Sequence, residues 1–132
     1  MKPRTGLIVV STLLSVGVAV IAQSERSVWD GVYTEAQAVR GQNIFSASCA
    51  RCHTVEDFTA PSFLMGWEGS PVLDLFQLVQ KSMPMDNPGS LRPEDYADVI
   101  AYFLRINAIP AGKDELDTDT EHLKLIRIQQ KK

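Results

Sequence analysis

The sequence predicts an all-α fold, and three observations predict it. Three stretches carry helix-start signals followed by apolar residues at helical spacing. No stretch reads convincingly as a strand. The segments between the helices are punctuated by Pro61, Pro84 and Pro88 and by Gly66 and Gly69, residues that end regular structure.

The first 22 residues stand apart from that fold. Lys2 and Arg4 precede "TGLIVVSTLLSVGVAVIA", residues 5 to 22, which carry no charge. A basic start, an apolar stretch and small residues at Val20 and Ala22 make a signal peptide over residues 1–22, cleaved after Ala22. An uncleaved anchor is the alternative, since the run reaches the lower limit for spanning a bilayer. Ser11, Thr12, Ser15 and the glycines weaken it. Either way the rest of the chain is expected to be exported, with no membrane span left after cleavage. Losing Lys2 and Arg4 takes the net charge from −3 to −5. No basic stripe exists, so nucleic acid is not an expected partner.

Residues 23–33 form an N-terminal lead. Thr34-Glu35-Ala36-Gln37 then reads as a capping box, with Thr34 accepting from the third helical amide and Gln37 reaching back. The helix that follows places Ala38, Gly41, Phe45 and Ser48 along one side and runs into Cys49. Small residues around Gly41 suit the close approach of another helix. Residues 54–69 show no sustained period and read as loop. Ser70-Pro71 starts a second helix, serine as cap and proline at the first helical position, with the stripe Val72, Leu75, Phe76 and Val79. Residues 82–91, "SMPMDNPGSL", form a stiff loop, because each proline also restricts the residue before it.

The third helix runs from Pro93 to about Arg105. Tyr96, Val99, Ile100, Phe103 and Leu104 form a wide apolar stripe. Glu94, Asp95 and Asp98 near its start and Arg105 at its end suit the helix dipole. Arg92 before it is a poor cap residue. Past Pro110 the composition shifts to a charged C-terminal tail, residues 110–132, with five acids among residues 114–121 and a basic end. Thr118 to Glu121 can cap a short helix, and Ile126 to Ile128 can add a few extended residues. The tail reads as a solvated segment that staples Leu123, Leu125 and Ile126 onto the domain.

Both cysteines and one of the two histidines fall within Cys49-Ala50-Arg51-Cys52-His53. That spacing is the one for covalent haem attachment. On a helical turn, positions i, i+3 and i+4 share a face, so two thiols can form thioethers while the adjacent imidazole ligates iron. Three other readings compete. A redox dithiol normally sits beside a βαβ unit, and here a capped helix precedes it. A zinc site needs four ligands, and only His122 or a carboxylate remains to complete it. A plain disulfide leaves His53 unexplained. For the sixth iron position, Met83 and Met85 flank Pro84 in the stiff loop, and a thioether there suits reduced iron. His122, in the tail, is the outsider for that position.

From Thr34 to about Asn107 the chain resembles a bacterial class I c-type cytochrome. The matching residues are "GQNIFSASCARCH", the "MP" of residues 83 and 84, and "DYADVIAYFL", residues 95 to 104. The resemblance implies a cytochrome c domain over residues 34–109, with three main helices around one covalently bound haem c. It implies that Gly41 and Phe45 pack on the C-terminal helix, facing Tyr102 or Phe103. It selects Met83 over Met85 as axial ligand opposite His53, and Pro61 as the carbonyl that accepts from the imidazole. The histidine-to-methionine interval is shorter than in the family, so the loops covering the haem edge are reduced. Trp67 then serves either as a propionate donor or as rim packing. "PGSLRPEDYADVIAYFL" is also reminiscent of c-type subunits serving periplasmic quinoprotein dehydrogenases.

The function so implied is periplasmic electron transfer, not enzymatic turnover, because two axial ligands leave no open site for substrate. The expected partners are a redox donor and acceptor: a dehydrogenase, an oxidase or another cytochrome. One alternative is a dedicated haem c subunit of a dehydrogenase complex. Another is a haem enzyme or gas sensor with an open sixth site, for which the chain offers no distal histidine or arginine beside the iron.

Overall fold

The computed structural model describes residues 24–59 and 61–131. The signal peptide expected over residues 1–22 lies outside the described residues. In chain order the elements are β1 (Arg26–Ser27), a 3-10 turn (Val28–Asp30), α1 (Glu35–Ile44) and a π-helical turn (Phe45–Cys49). Then follow α2 (Glu56–Thr59), α3 (Pro61–Gly66), α4 (Val72–Ser82), α5 (Pro93–Ile106), α6 (Thr120–Leu125) and β2 (Ile126–Arg127). The fold is the small all-α one that the sequence predicts, with one addition.

Helix α5 is the axis of the molecule. The stripe from Tyr96 to Leu104 is buried, and so are Ala97, Asp98, Ala101 and Tyr102 between its members. A helix buried all round must be covered on every side. One side is covered by α1, which crosses at Gly41. A β-carbon built on Gly41 would collide with the Asp98 carbonyl and lie 3.0 Å from the Tyr102 β-carbon. Only glycine permits that approach. Asp98 remains polar inside the contact because Arg40 of α1 forks onto it, with Nε 2.9 Å from one carboxylate oxygen and a terminal nitrogen 3.0 Å from the other.

The lead and the tail, set apart by composition, enter the same core. Val28, Val32 and Tyr33 from the lead join Leu116, Leu123, Ile126 and Ile128 from the tail, against Val72, Tyr96, Ile100 and Leu104. The addition to the all-α plan is a short parallel pairing of β1 with β2, Arg26 opposite Ile126. Its ends are tied by Trp29, whose indole N–H donates to the Gln129 carbonyl at 2.7 Å, and by Ile128, which exchanges backbone bonds with Ser70 and Gly69. The tail is therefore strapped down along its length. Its acids stay outside, and Asp119 caps α6 by accepting from the amides of Glu121 and His122.

Local details differ from the sequence reading for identifiable reasons. Thr34 caps α1 as expected, accepting from the Gln37 amide at 3.1 Å. Gln37 does not close the capping box. Its side chain is buried and bonds both the carbonyl and the amide of Leu116, each at 2.8 Å. Two otherwise unpaired buried backbone groups outweigh one helix-end amide that water can serve. Within the stretch 54–69, expected as loop, Glu56–Thr59 and Pro61–Gly66 form the short helices α2 and α3. Pro71 is the N-cap of α4 rather than its first residue, since the Ser70 carbonyl is taken by Ile128. Arg92 is explained as well. Asp95 accepts from its amide at 3.3 Å and from its guanidinium at 2.6 and 3.0 Å, doing for the helix end what the arginine cannot.

Candidate haem-attachment site

Helix α1 reaches the site through a change of pitch. Over Phe45–Cys49 the ladder widens to π spacing, and the Ala50 amide donates to the Phe45 carbonyl at 2.9 Å. Such widened turns occur often at functional sites. The next turn tightens again, because the Cys49 carbonyl accepts from both Cys52 at 3.1 Å and His53 at 3.0 Å. Those two bonds gather Cys49, Cys52 and His53 onto one turn, as their spacing predicts. The thiols are not joined to each other. Burial pushes the Cys49 thiol above its usual pKa, whereas Cys52 is exposed.

A second, smaller core adjoins this turn. Phe45, Val99, Tyr102 and Phe103 are its buried members, and Cys49, Phe58 and Phe63 pack against it. Phe58 stacks on Phe103 with centroids 4.3 Å apart and meets the His53 ring edge-on at 5.4 Å. Phe63 stands against both phenylalanines. Short α2 is held in this place by Asn107 at the end of α5, whose side-chain amide donates to the Phe58 carbonyl at 2.7 Å and to that of Phe103 at 2.8 Å. The result is an aromatic wall that begins at His53.

The polar neighbour of His53 is Asp57. Its carboxylate caps the turn by accepting from the Thr54 amide at 2.9 Å and stands 3.8 Å from His53 Nδ1. The bond expected from the imidazole to the Pro61 carbonyl is not formed among the described residues. Pro61 opens α3, where a carbonyl serves the helical ladder.

The methionine loop comes to the same side. Met83 ends α4, its amide donating to Val79 at 2.8 Å, and its side chain is half-buried while Met85 is exposed. The Tyr96 hydroxyl, buried in α5, donates to the Met83 carbonyl at 2.8 Å and accepts from the Leu91 amide at 3.4 Å, gathering both ends of the loop. Beyond it, Asp86 pairs with Arg51 at 2.9 Å, and Arg51 lies between the two cysteines. Trp67 lays its ring on the main core. His122 sits apart, paired at 2.7 Å with Asp117, whose carboxylate raises its pKa.

The donor set fits a haem. Two free thiols and an imidazole share one turn, an aromatic wall adjoins them, and a loop with a half-buried thioether is tied across to the same turn. The family comparison matches residues 36–103, just over half of the chain, to the model described as "Cytochrome C oxidase, cbb3-type, subunit III". The chain belongs to this c-type cytochrome family. Neither the curated proteins nor the solved structures contain a match. Family membership makes this an electron-transfer type of domain with haem as its group. Among the described residues no helix is long and apolar enough to cross a membrane.

Sequence reasoning named the thiols, His53 and Met83 and missed Asp57, Asn107, Asp86 and the role of Arg51. Thr54 followed three residues later by Asp57 is a short-range signal for the first of these. The other three act across long stretches of chain and leave no such signal.

Proposed function

We propose that this cytochrome is a one-electron carrier of the periplasm, holding a single haem c through thioethers to Cys49 and Cys52. His53 and Met83 are its axial ligands. The group supplies a ferric–ferrous couple, and the chain's residues bind it, orient it and set its potential. The observation that carries the reading is the tie between Arg51 and Asp86, which sets the methionine loop against the turn that bears His53. The half-burial of Met83 and the exposure of Met85 support Met83 as the ligand. A thioether opposite an imidazole favours reduced iron and leaves substrate no open position.

A second reading makes the chain a dedicated haem c subunit of a larger complex, with a periplasmic dehydrogenase or an oxidase as the docked partner. The matched family model bears the name of an oxidase subunit, which favours docking to such an assembly. Potentiometric titration of the holoprotein tests the proposal. A single reversible one-electron wave with no peroxide turnover is expected. Turnover of peroxide by the wild-type protein would replace the carrier with a haem enzyme. Purification without detergent separates the free carrier from the subunit by what copurifies.

A further inference from the structure

The methionine loop is anchored unevenly. Its ends are fixed: the Met83 amide is held by Val79, the Met83 carbonyl by Tyr96, and the Leu91 amide by the same tyrosine hydroxyl. Its apex, residues 84–88, is held differently. The turn there is closed internally by the Asn87 amide on the Pro84 carbonyl at 2.9 Å, and the Gly89 amide folds back to the Met83 carbonyl at 3.3 Å. Residues 85–88 are exposed, so packing does not pin them. Among the described residues, Arg51 to Asp86 is the one hydrogen bond or ion pair joining this apex to chain outside the loop.

Arg51 occupies a particular place. It lies between the two thiols, on the turn whose carbonyl at Cys49 binds both Cys52 and His53. Once both thiols carry a rigid group, that turn can no longer drift. The loop apex is then the movable partner of the pair. We infer that the Arg51–Asp86 ion pair is a latch that holds the loop apex to the cysteine–histidine turn and thereby slows the departure of Met83 from the iron. The inference rests on the Met83 ligation proposed above. Arg51 and Asp86 act as positioning residues, since neither supplies a ligand.

The pair is exposed, with side-chain accessibilities of 69% and 65%. Exposed pairs contribute little to folding and are screened by salt. The expected effect is therefore small in stability and visible in loop opening, about two- to fivefold in the opening equilibrium. Carbon monoxide reports that opening, because it binds ferrous iron only after the sixth ligand leaves.

The test uses holoprotein and stopped-flow mixing with carbon monoxide. At low ionic strength, Arg51→Gln and Asp86→Asn should each bind it about two- to fivefold faster than wild type. The double variant should be no faster than either single one, because the two residues act as one contact. Raising salt to about 1 M, where screening acts within roughly 3 Å, should bring wild type up to the variants and leave the variants nearly unchanged. The exchanged pair, Arg51→Asp with Asp86→Arg, should recover slow binding. If both single variants keep the wild-type rate and salt response while wild type retains its long-wavelength sulfur–iron band, the latch is refuted and the ligation stands. If wild type lacks that band and binds carbon monoxide at once, the ligation fails and the latch with it.

Discussion

Gly41 and Asp98 are in backbone contact across the crossing of α1 and α5. No side chain fits between them, since even a β-carbon on Gly41 would overlap the Asp98 carbonyl. One turn further on, at the start of the π-helical turn, Phe45 meets Tyr102 at 5.5 Å and Phe103 at 6.1 Å. The crossing thus sets how α1 delivers the cysteine–histidine turn to the aromatic wall. Stability and the placement of the site depend on the same contact.

Gly41→Ala tests the crossing by the sign of its effect. Helix propensity alone favours alanine by about 1 kcal/mol. Overlap with the Asp98 carbonyl should reverse this and cost about 1–3 kcal/mol. Phe45→Ala should cost about 3–5 kcal/mol. Denaturant midpoints of the two variants check both values, and a stabilised Gly41→Ala would show that the helices do not touch there.

Attachment has a direct chemical readout. Haem should stay with the polypeptide through acid–acetone extraction, and mass spectrometry should find one haem per chain. Cys49→Ala and Cys52→Ala should each still keep haem through the one remaining thioether, and only the double variant should release it on extraction. Free extraction from the wild type would return the cysteines to a redox or structural role.

The axial ligand is tested by contrasting two methionines. Met83→Ala should abolish the long-wavelength absorption of ferric protein, lower the potential and open ferrous iron to carbon monoxide. Met85→Ala, altering an exposed side chain, should leave all three nearly unchanged. The opposite pattern would transfer the ligand role to Met85.

The tail should behave as core. Gln37→Leu strands the buried amide and carbonyl of Leu116, at about 1–3 kcal/mol for each unsatisfied group. Leu123→Ala should cost about 2–5 kcal/mol. A truncation before Leu116 should expose the main cluster and lower the thermal midpoint by more than either substitution. An unchanged midpoint would make the tail an accessory.

Acid and base should erode stability from opposite sides. The guanidinium of Arg92 depresses the Asp95 pKa, that of Arg40 depresses Glu115, and backbone amides of His122 and Glu121 depress Asp119. Their contribution is present above the ordinary carboxylate range and is lost as pH falls through the lowered folded values. His122 has the other sign. Its raised pKa contributes fully below the ordinary 6.5, and that contribution is lost as pH rises through the folded value. Histidine proton shifts should place the wild-type midpoint above 6.5, and Asp117→Asn should bring it back toward that value.

Much of the site is local and can be read along the chain. The Cys49, Cys52 and His53 spacing is settled within one helical turn. The Thr34 cap and the stripes of α4 and α5 are likewise decided by neighbours three or four residues away. Even Gly41 is legible, because a small residue amid a helix's inward face marks a close crossing. Backbone geometry imposes those periods on any chain, so pattern alone carries them.

Other features belong to the tertiary structure. Gln37 chooses Leu116, 79 residues away, over its own helix end, and Arg51 finds Asp86 across 35 residues. Arg26 lies opposite Ile126 in a parallel pairing that no alternation announces. The stapling of Leu123 and Ile126 is legible in the charged tail, but only packing decides that Leu116 and Ile128 close the core with them. Each outcome depends on which buried group lacks a partner once the helices have packed. Helical spacing is inherent in the sequence, whereas those vacancies exist only after α1, α4 and α5 have met.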